Sequence, residues 1–148
     1  MNKLFIYYSH TGNGELVGDV LKNKGYELRK VKEKKKMPKL FFFKMLVGGF
    51  RAGLSLKGKL INYDSNVESY DEIIIGTPIW NGKLPPAINK VLEETNLKDK
   101  KLSFIIYSGS GNGPKALKKI NKLFGDISVI FLKEPKKYPD ELNKIKEL

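Results

Sequence analysis

Apolar residues recur along this chain with two periods, and the changes between them mark its elements. Leu4-Phe5-Ile6-Tyr7-Tyr8 is a continuous apolar run and predicts a strand over about Lys3–Tyr8. Leu16, Val17, Val20 and Leu21 then return at helical spacing, which predicts a helix over about Asn13–Asn23 that stops near Gly25. Tyr26–Lys32 alternates weakly and is rich in lysine, as suits an edge strand protected from further pairing. Glu72–Gly76 holds Ile73-Ile74-Ile75, the run expected of a strand buried on both faces. Pro85-Pro86 opens a helix through Ile88, Val91 and Leu92, and Leu102–Tyr107 reads as the fourth strand. Gly113-Pro114 opens a helix through Leu117, Ile120, Leu123 and Phe124, Ile127–Leu132 is the fifth strand, and a last helix is expected over about Asp140–Glu147.

This alternation of strands and helices, with short connections, predicts an α/β fold built on a doubly wound parallel sheet. Ligands of such sheets sit outside the carboxyl ends of the strands, where the strand order switches. Three loops leave carboxyl ends with suitable chemistry: Ser9–Glu15, Gly76–Gly82 and Ser108–Gly113. The irregular stretch is Lys34–Lys59. In it Leu40, Phe43, Val47, Phe50 and Leu54 recur at helical spacing between basic flanks. It reads as the crossover helix packed on the sheet, or as a basic amphipathic element for a membrane or an acidic partner. These two readings are compatible.

Length and composition narrow the class. The 148 residues make one domain, 1–148, with a basic, partly apolar insertion or crossover at about 33–60. With no cysteine, disulfides, Fe–S clusters and thiolate chemistry are excluded, and His10 is the sole imidazole. No apolar run approaches a membrane span, and the first residues lead straight into a strand, so a cytoplasmic location is expected. The net charge of +12 predicts an acidic partner. Much of it lies in Arg29–Lys59, where eleven lysines and arginines face Glu33 alone.

The first loop, Ser9-His10-Thr11-Gly12-Asn13-Gly14-Glu15, joins a strand to a helix and predicts a cup for one terminal phosphate. Hydroxyls come from Ser9 and Thr11, and amides from Gly12 to Glu15 at the helix N-terminus. It lacks the Gly-Lys-Ser/Thr ending of a nucleoside triphosphatase and the Gly-x-Gly-x-x-Gly dinucleotide pattern. A strand–helix turn capped by Thr11 or Asn13 is the simpler alternative. His10 either bonds the ligand and affects its reduction through protonation, or faces solvent. Glu15 is structural, favoured in a first helical turn by the helix dipole. In the second loop, Gly76-Thr77-Pro78-Ile79-Trp80-Asn81-Gly82, Trp80 can stack on a flat ring or be a partly buried packing residue. The third loop, Ser108-Gly109-Ser110-Gly111-Asn112-Gly113, is small and polar, and lets backbone groups reach a ring edge.

Taken together, the three loops resemble those of the flavodoxin family. Ser9-His10-Thr11-Gly12-Asn13-Gly14 matches the Thr/Ser-x-Thr-Gly-x-Thr phosphate loop. Gly76–Trp80 and Gly109–Gly111 fall where the family's two isoalloxazine loops lie. The resemblance covers nearly the whole chain and implies a three-layer α/β/α fold with five strands in the order 2-1-3-4-5. The uninterrupted fifth strand is similar to that of the short-chain group. The resemblance further implies non-covalent FMN, with its phosphate at Ser9–Glu15, its ring at Thr77, Pro78, Ile79, Trp80, Asn81 and Gly82, and its pyrimidine end near Ser108, Gly109, Ser110, Gly111 and Asn112. The Asn81-Gly82 peptide would stand beside N5, where glycine permits a peptide flip that stabilises the one-electron-reduced state. The implied function is electron transfer with acidic redox partners through Arg29–Lys59. The alternative is an FMN-dependent NAD(P)H or quinone oxidoreductase. A basic binding module for an anionic membrane or nucleic acid is the third reading, with nucleic acid disfavoured because the segment lacks strand-borne stacking aromatics. No catalytic acid or base and no metal ligand set is expected.

The chain departs from the family pattern in three ways. Gly14 replaces the last hydroxyl of the phosphate loop, a loss of about 1–2 kcal/mol unless a backbone amide compensates. No aromatic follows Gly109–Asn112; Lys115 falls near that position, leaving one flavin face open to a nicotinamide or another small oxidant. The chain is basic where family members are usually acidic.

Overall fold

The structure is a computed structural model that describes residues 1–34 and 59–148. Its elements are β1 (Lys3–Tyr7), α1 (Asn13–Lys22), β2 (Tyr26–Lys30), β3 (Glu72–Pro78), α2 (Pro86–Glu94), β4 (Lys101–Ser108), α3 (Pro114–Phe124), β5 (Ser128–Lys133) and a final 3-10 helix (Pro139–Ile145). The five strands form one parallel sheet in the order β2-β1-β3-β4-β5. β2, which carries Arg29 and Lys30, is an edge strand, as its weak alternation predicts.

Because side chains alternate across a strand, the sheet divides the core in two. Leu4, Ile6, Ile73, Ile75, Phe104 and Ile106 face one side and pack with Ile88, Val91 and Ile120 of α2 and α3. Phe5, Tyr7, Ile74, Ile105 and Tyr107 face the other and pack with Val17 and Leu21 of α1 and Ile145 of the 3-10 helix. The three central strands are buried on both faces, which explains the unbroken apolar runs of β1, β3 and β4.

Boundaries differ from the sequence expectation at several strand ends and in the last helix. β2 stops at Lys30 rather than Lys32, because the chain then leaves the sheet edge; Glu33 bridges Leu60 in antiparallel fashion. β3 runs on to Pro78, paired with Tyr107 of β4, since a terminal proline removes no bond that the ladder needs. β4 and β5 extend to Ser108 and Lys133, their last paired residues. The last helix is 3-10 and starts at Pro139, with Leu142 and Ile145, three residues apart, set toward the core. The stretch Leu40–Phe50, with both of its readings, lies outside the described residues. Among the described residues no helix is long and apolar enough to cross a membrane.

Candidate functional site

In a βα unit each helix starts at the carboxyl end of the preceding strand. Loops and helix N-termini therefore collect on one edge of the sheet. The strand order reverses between β1 and β3, and the loops after these two strands stand side by side there.

The loop after β1 turns at Gly12, whose φ of 96° lies in the left-handed region that favours glycine. Gly12 is itself the N-cap of α1 and no side chain caps the helix, so the alternative of a turn capped by Thr11 or Asn13 does not form. Asn13 Nδ2 instead donates to Thr11 Oγ1 at 3.2 Å. Ser9 Oγ accepts the Gly14 N–H at 3.0 Å, so one of the amides expected to face a phosphate is held by the loop's own hydroxyl. A Cβ at Gly14 would stand 2.7 Å from Ser9 Cβ, 2.7 Å from Tyr107 Oη and 2.9 Å from Tyr7 Cδ2. Gly14 is thus required by space, and the family hydroxyl it replaces has no room here. Beneath it, the buried Tyr107 hydroxyl donates to the Tyr8 carbonyl and fixes the end of β1.

Positive charge at this loop comes from outside it. Glu15 is paired with Lys30 of β2. Burial would raise the Glu15 pKa, but hydrogen bonds from Lys30 and Ser9 prevail and hold the carboxyl below its ordinary range. His10 is exposed, and partial burial of its ring holds it below its ordinary value, leaving it neutral near pH 7. Lys136 lies across the loop: its amide donates to Asn13 Oδ1 at 2.9 Å and its Nζ to the Thr11 carbonyl at 3.3 Å. No local pattern in the sequence pointed to Lys136 or Tyr107, because both reach the loop by tertiary folding alone.

At the end of β3, Thr77 is buried and its hydroxyl donates to the Pro78 carbonyl at 2.7 Å. Trp80 and Lys83 exchange backbone bonds of 2.8 and 3.0 Å around Asn81 and Gly82, at φ 49° and 76°. Two positive φ values make this a type I′ turn, for which Asn-Gly is the preferred pair. The turn corrects the expectation that Gly82 frees the peptide to flip. Flipping it gives a type II′ turn, which wants glycine at the first central position, and that position holds Asn81. Trp80 is 2% exposed and packs edge-on against Tyr8, with ring centroids 5.8 Å apart. In this conformation the indole is a core residue, neither open for stacking nor partly buried. Its burial follows from its neighbours Leu84, Ala87 and Ile88, which draw the loop inward.

The loop after β4 satisfies itself. Ser108 Oγ accepts the Gly111 N–H at 3.0 Å and donates to the Asn112 carbonyl at 2.9 Å, while Ser110 Oγ bonds Asn112 Oδ1 at 2.9 Å. Gly109, Ser110 and Asn112 remain exposed. A Cβ at Gly113 would stand 2.7 Å from Ile79 Cδ1, so the second and third loops are packed together. Lys115, at the start of α3, runs along Gly82, with its Cδ 3.4 Å from where a Cβ there would lie. The structure therefore gathers Ser9–Glu15, Thr77–Gly82 and Ser108–Asn112 on one edge, with Lys115 and Lys136 beside them.

The flavodoxin family model matches residues 54–144, well over half of the chain. This chain belongs to the flavodoxin family. Among solved structures it is similar to a protein of Bacteroides eggerthii DSM 20697 classed as a flavoprotein, at 22% identity and a TM-score of 0.71, covering 97% of each chain. It is also similar to a flavoprotein of Lactobacillus acidophilus NCFM in complex with FMN, at 23% identity and a TM-score of 0.65, covering 87% of this chain and 89% of that one. A flavodoxin from the domain Archaea aligns over 100% of this chain and 93% of its own, at 14% identity and a TM-score of 0.55. At these identities the likeness establishes the fold. No curated protein matches the chain. The family match in this flavodoxin starts beyond the first loop, so Ser9–Glu15 rests on its own geometry.

Proposed function

We propose that this flavodoxin binds FMN non-covalently along the carboxyl edge of β1, β3 and β4 and passes electrons between redox partners. The observation that carries the reading is the first loop. It is a glycine turn at a helix N-terminus, at the switch point of the sheet, with the Ser9 and Thr11 side chains at its rim. FMN, when bound, supplies the redox chemistry. The chain supplies position and charge: Ser9–Glu15 for the phosphate, Thr77–Gly82 and Ser108–Asn112 for the ring. Family membership and the FMN complex of the Lactobacillus neighbour support the choice of cofactor.

Acidic proteins are the proposed partners. Of the basic segment, Arg29 is engaged internally: its side chain is 14% exposed and donates to the carbonyls of Asp64 and Asn66. Lys83, Lys115, Lys118 and Lys119 line a cavity of about 230 Å³ next to the Gly82 turn and add positive charge beside the site. The reductase reading draws support from Lys115, which runs along Gly82 of the second loop and falls near the sequence position where the family resemblance implies a covering aromatic. A visible spectrum of the protein with FMN, followed through stepwise anaerobic reduction, tests both readings. A flavin spectrum that accumulates a one-electron-reduced form supports the carrier. Direct two-electron reduction by NAD(P)H supports the reductase. Failure to take up FMN overturns both.

A further inference from the structure

We propose that Lys136 supplies the positive charge of the phosphate site, making the site selective for a phosphorylated flavin over its unphosphorylated form. This rests on the FMN reading above and deepens it. The Ser9–Glu15 loop contains no lysine or arginine of its own. Its acid, Glu15, is neutralised by Lys30, and its imidazole is neutral. Any formal charge offered to an anion there must come from elsewhere in the fold.

The segment after β5 brings it. The Glu134 N–H bonds the Ser108 carbonyl at 3.1 Å, and the amides of Lys137 and Tyr138 return to the Glu134 carbonyl at 2.8 and 2.9 Å. This tight turn is pinned to the third loop at one end. At the other, Asn13 Oδ1 holds the Lys136 amide against the first residue of α1. The side chain then lies over Gly12, with Cδ and Nζ each 3.7 Å from where a Cβ at Gly12 would be. An ammonium has three donors, and Nζ commits one to the Thr11 carbonyl. Among the described residues no carboxylate pairs with it. The cation is thus positioned at the helix N-terminus with donors to spare. A lysine in that place acts on a phosphate as a point charge and strengthens its hydrogen bonds.

The experiment is a fluorescence-quenching titration of the wild-type protein, K136Q and K136R with FMN and, separately, with riboflavin. Wild-type protein is expected to prefer FMN. K136Q should weaken FMN binding about tenfold, the scale of one charge-assisted hydrogen bond, and leave riboflavin unchanged. K136R should recover most of the loss. Unchanged FMN affinity in K136Q overturns the proposal. Equal weakening of both flavins also overturns it, because it would show a packing role. If wild-type protein binds neither flavin, the FMN reading itself fails, an outcome distinct from failure at Lys136.

Discussion

At the amino end of the strands, Tyr26 Oη donates to Glu72 Oε1 at 2.5 Å, Lys101 Nζ reaches Glu72 Oε2 at 3.2 Å, and the Asn2 N–H reaches Asp71 Oδ2 at 2.7 Å. These five residues satisfy one another. At the carboxyl end the chain turns on glycines, brings in Lys30, Lys115 and Lys136, and starts α1 without a side-chain cap. The difference comes from the direction of the chain. Parallel strands with crossover helices put helix N-termini, and their unpaired N–H groups, at one edge only. The amino edge keeps a polar cavity of about 290 Å³ lined by Asn2, Lys3, Glu27 and Ser69, but no helix N-terminus opens onto it, so the two edges differ in the donors they offer rather than in the space they leave.

The largest effect that sharpens this contrast is expected from Gly14→Ala. Its Cβ would overlap Ser9 and Tyr107, so stability should fall by about 1–3 kcal/mol and FMN affinity with it. Gly25→Ala, at φ 85° with nothing within 4 Å, should cost about 1 kcal/mol and leave FMN affinity unchanged. Denaturant unfolding and flavin titration check both, and equal FMN affinity in the two variants would break the contrast. At the amino edge, Tyr26→Phe removes a bond to a buried carboxylate and should cost about 1–2 kcal/mol with no effect on flavin. Burial and the Glu72 carboxylate raise the Tyr26 pKa above 10.0. The neutral hydroxyl is favoured in the folded state, so its stabilising effect is complete below pH 10.0 and is lost as pH rises toward the folded value. The variant should show a shallower alkaline loss of stability. On the acid side, burial opposes ionisation of Glu72, but bonds from Tyr26 and Lys101 prevail and lower its pKa. Stability from Glu72 is therefore present above its unfolded pKa and lost as pH falls through the lower folded value.

Smaller effects belong to the carboxyl edge. Lys30→Gln leaves Glu15 unpaired beside the loop and should weaken FMN binding about threefold, because exposed pairs contribute little. Riboflavin affinity should not change. Lys115→Gln removes one positive charge near the ring loops. At about 10 Å and an effective dielectric of about 40–80, one charge contributes about 0.4–0.8 kcal/mol to favouring reduced, anionic flavin. The variant's potential should be slightly more negative in a redox titration, and an unchanged potential would place the lysine outside the field of the site.

Much of this was legible in the sequence, for reasons specific to its elements. Ile73-Ile74-Ile75 reads as a central strand because both faces of β3 are covered. The Gly12 turn reads as a loop because only its neighbours carry apolar periodicity. Other features were hidden. Trp80 sits among polar and glycine residues in the sequence, and only the packing of α2 shows that it is buried. Lys136 lies 125 residues from Thr11, and nothing local in Pro135-Lys136-Lys137 points to the first loop. The cap at Gly12 is not legible in the sequence because Thr11 and Asn13 are better caps by propensity, whereas the left-handed backbone decides. The family's phosphate hydroxyl is absent because Tyr107 fills the space beneath residue 14, a contact across the sheet.

The most direct test is a ¹H–¹⁵N correlation spectrum of the labelled protein recorded through an FMN titration. Amides of Gly12–Leu16, Asn81, Gly82 and Gly109–Asn112 should move, while those of Asn2, Gly25 and Asp71 at the opposite edge should stay in place. Shifts confined to the amino edge, or spread evenly over both, would contradict the assignment of the carboxyl edge as the FMN site.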